Sequence, residues 1–524
     1  MGKIFELGLS LGSPRRQWSN RLLLLSIAGI LFLTLLPFRF NFHPPSLTHS
    51  PFLLEGWWAK GSSLFDAFLN VLLFVPFGFG VSAKLREKHV SKLGMFFASL
   101  FLGALLSYTV EFTQIYIPSR DSGWGDIVTN GSGSAVGFFV FELCGALILD
   151  ILSAAEVFLE KLLVWPRFAV VISLYLLLWF GLSIFFQHQT RLTRWDRFPL
   201  LLVGNDASSL YLAGWQGAVD AVQWWDHPLS TEAVQQMAAG NRADSQPALL
   251  ADYDFSGPLP LGDRINFLPP LSLISKPGKA EFRESAEHSN SYLSGDNWLT
   301  SRVPVTNLVL ALQRTSQFAL RVLCRPRSSS ENRAAILSLS TPSGFDDLEI
   351  VQDDSDLAFW FENDVTTNRY NMEWYLKDVF RADRTLDVVF SYDGNTLSAY
   401  INGQKQSPSY PLGPGLGLAR HFRHVKTFEL DGYEYIYYSL IFFIAGSLAG
   451  ISCRNIRRGN MGAVVSLSLL FLLPALLLEA ILVLVSGKFF SWGYVALSVI
   501  LTLGGAAWIS ADGMPAAFPP QKTP

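Results

Sequence analysis

Three short runs of polar residues inside apolar stretches carry the chemistry this sequence has to offer. The first begins Asp66-Ala67-Phe68-Leu69-Asn70, the second ends Glu111-Phe112-Thr113-Gln114, and the third opens Asp126-Ile127-Val128-Thr129-Asn130. Spacings of four and three residues put Asp66 with Asn70, Glu111 with Gln114, and Asp126 with Asn130 on single helix faces. Arg120 lies between the second and third runs. Gathered at one place with Arg120, at or near the outer membrane face, these carboxylates and carboxamides would form an outward-opening pocket for an anionic lipid-linked headgroup. A guanidinium fork at Arg120 would pair Glu111 or Asp126, or take a phosphate bidentately. Paired carboxylates near an arginine could also do acid–base work. The plainer reading is that these residues hydrogen-bond across helices and hold them together. No nucleophile or metal-ligand motif accompanies them, and His43 and His49 stand without metal spacing in the segment between the first two apolar runs.

Long apolar elements must position these residues. Half of the 524 residues are hydrophobic and 16% are charged, against roughly 25% in average soluble chains. The deficit falls in two blocks, 1–190 and 434–524, and the block between them, 191–433, has ordinary soluble character. A bilayer crossing takes about 20 apolar residues. Eight stretches qualify, at roughly 20–38, 64–83, 93–116, 126–148, 166–187, 435–453, 462–486 and 489–510. The first lacks a small-residue cleavage site and is expected to be retained. Residues 149–165 carry acids and Lys161 at helical spacing and read as an interfacial segment. Lys3, Arg15, Arg16 and Arg21 precede the first span. Lys84, Arg86, Lys88 and Lys92 separate the second and third. Lys161 and Arg167 precede the fifth, and Arg454, Arg457 and Arg458 follow the sixth. All fall on one side if both termini are cytoplasmic, which places 188–434 outside the cytoplasm.

The polar runs and their flanks resemble the VanZ-like family. The matching pattern is Asp66 and Asn70 with Phe74-x-Pro76-x-Gly78, Glu111-x-x-Gln114 with Pro118-x-Arg120, and Asp126 and Asn130 with Gly133 and Gly137. The Gly133-x-x-x-Gly137 spacing allows close helix contact, and Pro76 should kink its helix. What the resemblance implies is a bacterial cell-envelope setting in the inner (plasma) membrane, and no particular reaction.

The middle block reads as short strands broken by turns. Phe318–Cys324, Ala335–Ser340, Leu348–Gln352, Leu357–Phe361, Leu386–Ser391 and Leu397–Ile401 are the strand-like runs, with turns at Tyr392-Asp393-Gly394-Asn395 and Asn402-Gly403. Their succession, with Phe390-Ser391-Tyr392-Asp393-Gly394 and Tyr400-x-Asn402-Gly403, resembles a laminin-G/concanavalin A-like jelly roll. Such modules end on a strand and short helix of a type found here at the front, in Trp215–Trp224 and Pro228–Val234. A circular permutation is therefore expected, with the old termini joined through 238–248. Ser230 should cap the short helix, with Glu232 in its first turn. The resemblance leaves carbohydrate, protein and glycanase roles open. No compact pair of catalytic carboxylates is present, which argues against hydrolysis. Trp215, Trp298 and Trp374 are the tryptophans that could stack on a sugar, although at strand positions core packing is the commoner use. Trp224, Trp225 and Trp360 are read the same way. Asp346, Asp347, Asp353, Asp354 and Asp356 form an acidic run that offers calcium oxygens, the plainer reading being a solvated face. Otherwise no cofactor is expected.

Pro474 and Glu479 interrupt the seventh span; Glu479 needs a partner, and Lys488 lies two to three turns away. The last three spans are expected to clamp the sandwich at its second tether. Cys144 and Cys453 fall in or beside apolar spans, leaving Cys324 alone in the soluble block and no disulfide framework. A net charge of −3 gives no reason to expect nucleic acid. The expected architecture is a multi-pass α-helical membrane protein with an inserted, circularly permuted all-β jelly-roll sandwich. Its expected role is binding rather than catalysis. The membrane part would hold a lipid headgroup or lipid-linked glycan precursor, and the sandwich a glycan or envelope protein. The alternative is a membrane enzyme acting on a lipid-linked substrate at Glu111, Arg120 and Asp126. Transport ranks below both, because no inverted pair of broken helices is evident.

Overall fold

The computed structural model describes residues 13–36, 38, 40–42, 64–117, 123–164, 166–206, 214–240, 249–256, 259–276, 292–366, 373–407, 409–422, 430–454 and 461–510. The helices are α1 (Ser13–Leu35), α2 (Leu64–Glu87), α3 (Lys92–Gln114), α4 (Trp124–Leu162), α5 (Arg167–His188), α6 (Thr231–Ala238), α7 (Thr306–Thr315), α8 (Pro414–Ala419), α9 (Leu430–Arg454), α10 (Met461–Ser486) and α11 (Trp492–Ser510). Among the described residues seven helices are long and apolar enough to cross a membrane; the remaining expected span, the seventh at 462–486, falls on α10, whose described side chains begin at Leu472. The chain divides into two compact units. One comprises 1–177, 438–474 and 496–524; the other comprises 178–437 and 475–495.

In the first unit glycine lets backbones approach. A Cβ at Gly133 would run into the carbonyl oxygen of Val71, and one at Gly137 into that of Val75 and, at 2.7 Å, the nitrogen of Phe79. A Cβ at Gly78 would strike Ser134. Helices α2 and α4 therefore cross at backbone contact, as the Gly-x-x-x-Gly spacing predicts. Helix α4 is a single element of 39 residues, about 58 Å at 1.5 Å per residue, nearly twice a hydrocarbon core of about 30 Å. Residues 149–162, expected to form a segment of their own, are its continuation. The reason is local: nothing between Leu149 and Leu162 breaks a helix, and three acids along α4 have partners on neighbouring helices. Glu142 takes Arg86 at 2.7 Å and Lys92 at 2.6 Å, Asp150 takes Arg15 at 2.6 Å, and Glu156 takes the buried Arg21 at 2.8 Å. Several of the cations that suggest sidedness are thus held in ion pairs by one helix.

The second unit is built on two antiparallel sheets. Its strands are β1 (Leu200–Val203), β2 (Gln216–Trp225), β3 (Leu249–Asp254), β4 (Ser272–Ser275), β5 (Tyr292–Ser294), β6 (Asn297–Thr300), β7 (Phe318–Pro326), β8 (Glu331–Ser340), β9 (Asp346–Asp354) and β10 (Asp356–Phe361). They continue as β11 (Trp374–Leu376), β12 (Leu386–Tyr392), β13 (Thr396–Ile401), β14 (Gln404–Lys405) and β15 (Tyr410–Pro411). One sheet runs β11-β10-β9-β8-β1-β6-β4 and the other β14-β13-β12-β7-β2-β3, with β5 on β2 and β15 on β13. All six strand-like runs of the sequence are strands. Strand β2 lies inside its sheet, between β7 and β3; of residues 238–248, through which the old termini are expected to be joined, 241–248 lie outside the described residues. Phe318, Phe359, Phe390 and Tyr392 fill the space between the sheets, Phe359 and Phe390 stacking at 3.8 Å. Ser230 caps α6 by accepting the N–H of Ala233 at 3.2 Å.

The β12–β13 turn is gripped by helix ends of the same unit. Gln187 and Thr190, at the end of α5, donate to the carbonyl of Gly394 at 2.9 and 3.0 Å, and Tyr392 donates to the carbonyl of Thr190 at 2.8 Å. Gln317 donates to the carbonyls of Asp393 and Ser486, each at 3.1 Å, and so ties the turn to the end of α10. Gly394 has φ +88°, and a Cβ there would sit 2.6 Å from the Ser486 oxygen, so glycine is required twice over. Glu434, in α9, accepts the N–H groups of Gly415 and Leu416 at the start of α8.

Candidate functional site

Asp66 stands in the first turn of α2, Glu111 and Gln114 in the last turn of α3, and Asp126 in the first turn of α4. Acids in a first turn complement the positive end of a helix. Because α3 runs against α2 and α4, these ends gather at one end of the three-helix pack. Asn70 donates to Asp126 at 2.8 Å. Glu111, buried, accepts the N–H of Gly123 at 2.9 Å and so caps the entry to α4. Asp126 lies within electrostatic reach of both Glu111 and Asp66. Four of the expected residues, Asp66, Asn70, Glu111 and Asp126, therefore form one centre.

Two others turn elsewhere. Gln114 donates to the carbonyl of Thr34 on α1 at 2.8 Å, and Asn130 donates to Ser107 on α3 at 2.9 Å, one turn deeper. Asn130 is buried, and its Oδ1 has no hydrogen-bond partner. A buried acceptor of that kind costs stability unless something donates to it. Arg120, with His43 and His49, lies outside the described residues. The described part of the centre is thus acceptor-rich, with three carboxylates, and the unpartnered Asn130 oxygen lies one turn deeper; such groups suit hydroxyl or ammonium donors.

In the second unit the tryptophans take the commoner of the two uses expected of them, core packing. Trp215, Trp298 and Trp374 are all buried. Trp215 donates its indole N–H to Gln352 at 2.7 Å in the sandwich interior, and Trp374 stacks on Tyr410. Trp215 and Trp374 point between the sheets; Trp298, next to the core residue Leu299 on β6, is buried on the other face of its sheet. The acidic run is also divided. Asp346 and Asp347 begin β9, while Asp353, Asp354 and Asp356 lie at its far end, roughly 20 Å away at about 3.3 Å per residue. Asp353 and Asp356 face Arg333 and Lys377, so the run does not converge on one cation.

The lone Glu479 has its partner. The chain reverses after α10, Gly487 taking φ +73°, and brings Lys488 within 2.5 Å of Glu479, which also accepts the N–H of Ser491 at 2.7 Å. The turn so fixed forms one wall of a cavity of about 530 Å³, whose other walls are β12, β13, β14 and the Pro228–Thr231 entry to α6. Sequence reading passed over this site. Its signal was the aromatic run Phe489-Phe490-Ser491-Trp492-Gly493-Tyr494 between two apolar helices.

Residues 12–145 match the VanZ/LLP1 family model. The match covers under a third of the chain, takes in α1 to α3 and the first half of α4, and includes every residue of the centre built on Asp66, Asn70, Glu111 and Asp126. No curated protein and no solved structure matches the chain. The VanZ/LLP1 match thus bears on the N-terminal helices, and the sandwich is described by its geometry.

Proposed function

We propose that this is a cell-envelope membrane protein whose VanZ/LLP1 stretch binds the headgroup of a lipid or lipid-linked glycan, and whose sandwich faces away from the cytoplasm and engages a glycan or envelope partner. The observation that carries the first part is the meeting of Asp66, Asn70, Glu111 and Asp126 at the ends of three helices. Helix adhesion alone would be served by paired groups; the buried Glu111 carboxylate within electrostatic reach of the Asp126 carboxylate is costly unless a donor approaches them. Their acceptor character favours a headgroup presenting hydroxyls or an ammonium.

The test uses the full chain in nanodiscs with phosphatidylethanolamine, an ammonium headgroup, against phosphatidylcholine, which cannot donate hydrogen bonds. Retention of phosphatidylethanolamine is expected, and loss of about tenfold in Glu111→Gln and Asp126→Asn, one charge-assisted hydrogen bond each. Equal retention by wild type and both variants, at unchanged thermal stability, would reject the site. A fall in thermal stability with unchanged retention would make the centre a helix-packing device.

A further inference from the structure

The cavity beneath the β12–β13 hairpin is a site of a different kind. Its sheet wall presents Ser398 and Tyr400 from β13 and Asn395 from the preceding turn, with Lys405 of β14 at its side; its opposite wall presents Phe490 and Trp492. Hydroxyls, an amide and a single unassigned cation are the groups that read the hydroxyls of a sugar or polyol. Flat aromatic faces cover the apolar faces of such rings. A volume of about 530 Å³ falls within the range of roughly 300–1,000 Å³ of small-molecule sites.

The position of the aromatic wall says what the headgroup is attached to. It spans the short turn between α10 and α11 and the first residue of α11, Trp492; both helices are apolar, so it lies where helices leave the hydrocarbon. Phe489 is 62% and Trp492 71% exposed, and Phe490 packs on Trp492 at 4.9 Å. Exposed aromatic side chains at that level are the anchors of a membrane–water boundary. The wall is also preformed. Glu479 holds Lys488 and the Ser491 N–H, and Gln317 holds the Ser486 carbonyl, so little ordering remains for a ligand to induce.

We infer that the cavity between the β12–β13 hairpin and the 488–494 turn binds the polyhydroxylated headgroup of a membrane amphiphile, the sugar or polyol lying against Trp492 and Phe490 and its chains remaining in the leaflet on the sandwich's side. This deepens the proposed glycan role of the sandwich and is independent of the centre at Glu111 and Asp126.

The experiment measures retention of glucosyl-diacylglycerol by the full chain in phosphatidylcholine nanodiscs, with maltose as the soluble competitor. Wild type is expected to retain the glycolipid, and Trp492→Ala to weaken retention roughly tenfold, the loss of one stacking face together with its burial. Lys405→Ala and Tyr400→Phe should weaken it less, and Glu111→Gln not at all. Tyr400→Phe keeps the ring and guards against a folding defect. Competition by maltose with the same ranking of variants would support the site and assign its source as free glycan. Equal retention by wild type and Trp492→Ala would overturn the cavity while leaving a glycan role for the sandwich elsewhere. Retention of neither glycolipid nor maltose by wild type would overturn both.

Discussion

A buried tryptophan and a ligand-stacking tryptophan are the same letter in a sequence. Trp215, Trp298 and Trp374 are all buried, Trp215 and Trp374 in the core between the sheets, a placement that alternation in an irregular, turn-rich stretch does not reveal. Trp215→Ala should cost about 3–5 kcal/mol, because it opens a large void and strips Gln352 of its donor; the measurement is the thermal midpoint of the full protein in detergent. Asp347 is a second residue whose behaviour depends on its setting. Burial pushes it up to about 7 from 3.8, the N–H of Asp196 pulling the other way and Glu362 adding to the rise. The folded state then keeps a proton that the unfolded chain releases above about pH 4. Stability from this group is full below about pH 4, declines as pH rises towards 7, and is flat beyond. The thermal midpoint is expected to be lower at pH 8 than at pH 5, and Asp347→Asn should narrow that difference. An unchanged difference would remove Asp347 from the account. By contrast the spacing of Asp66, Asn70, Glu111 and Asp126 was readable in advance, because polar residues in apolar helices are few and period alone fixes their faces.

At the scale of elements, the crossing of α2 and α4 was foretold by Gly133 and Gly137, and the structure adds Gly78 on the facing helix. Gly137→Ala drives a methyl group into backbone, which cannot swing aside, so a loss of about 1–3 kcal/mol is expected. Gly181→Ala on α5, where a Cβ meets nothing within 4 Å, should be neutral or slightly stabilising. Size-exclusion profiles and thermal midpoints in detergent distinguish the two. The length of α4 was not legible. Hydropathy falls near Leu149 although helix propensity does not, and the reason to continue, ion pairs with Arg15 and Arg21, lies on a distant part of the chain. The pairing of Glu479 with Lys488 escaped for a similar reason: a straight helix separates them, and only the reversal at Gly487 brings them together.

For the whole molecule, the division into apolar flanks and a β-rich centre follows from composition. The neighbours of β2, some hundred residues away in β7, do not, and were reached through resemblance to a permuted jelly roll. That ancestry remains a proposal; the pairing is an observation. Sidedness is testable directly. Ser343 lies exposed in the turn before β9, while Cys324 is buried with its thiol pushed up to about 12. Ser343→Cys should react with a membrane-impermeant maleimide on intact spheroplasts, and labelling only after lysis would place the sandwich in the cytoplasm. The grip on Gly394 has a mechanical meaning as well. Its carbonyl, and those of its neighbours, bind side chains and backbone from stretches that lie far apart along the chain, so a pull on the hairpin is shared among the last residues of α5, Gln317 and, through Gln317, the end of α10.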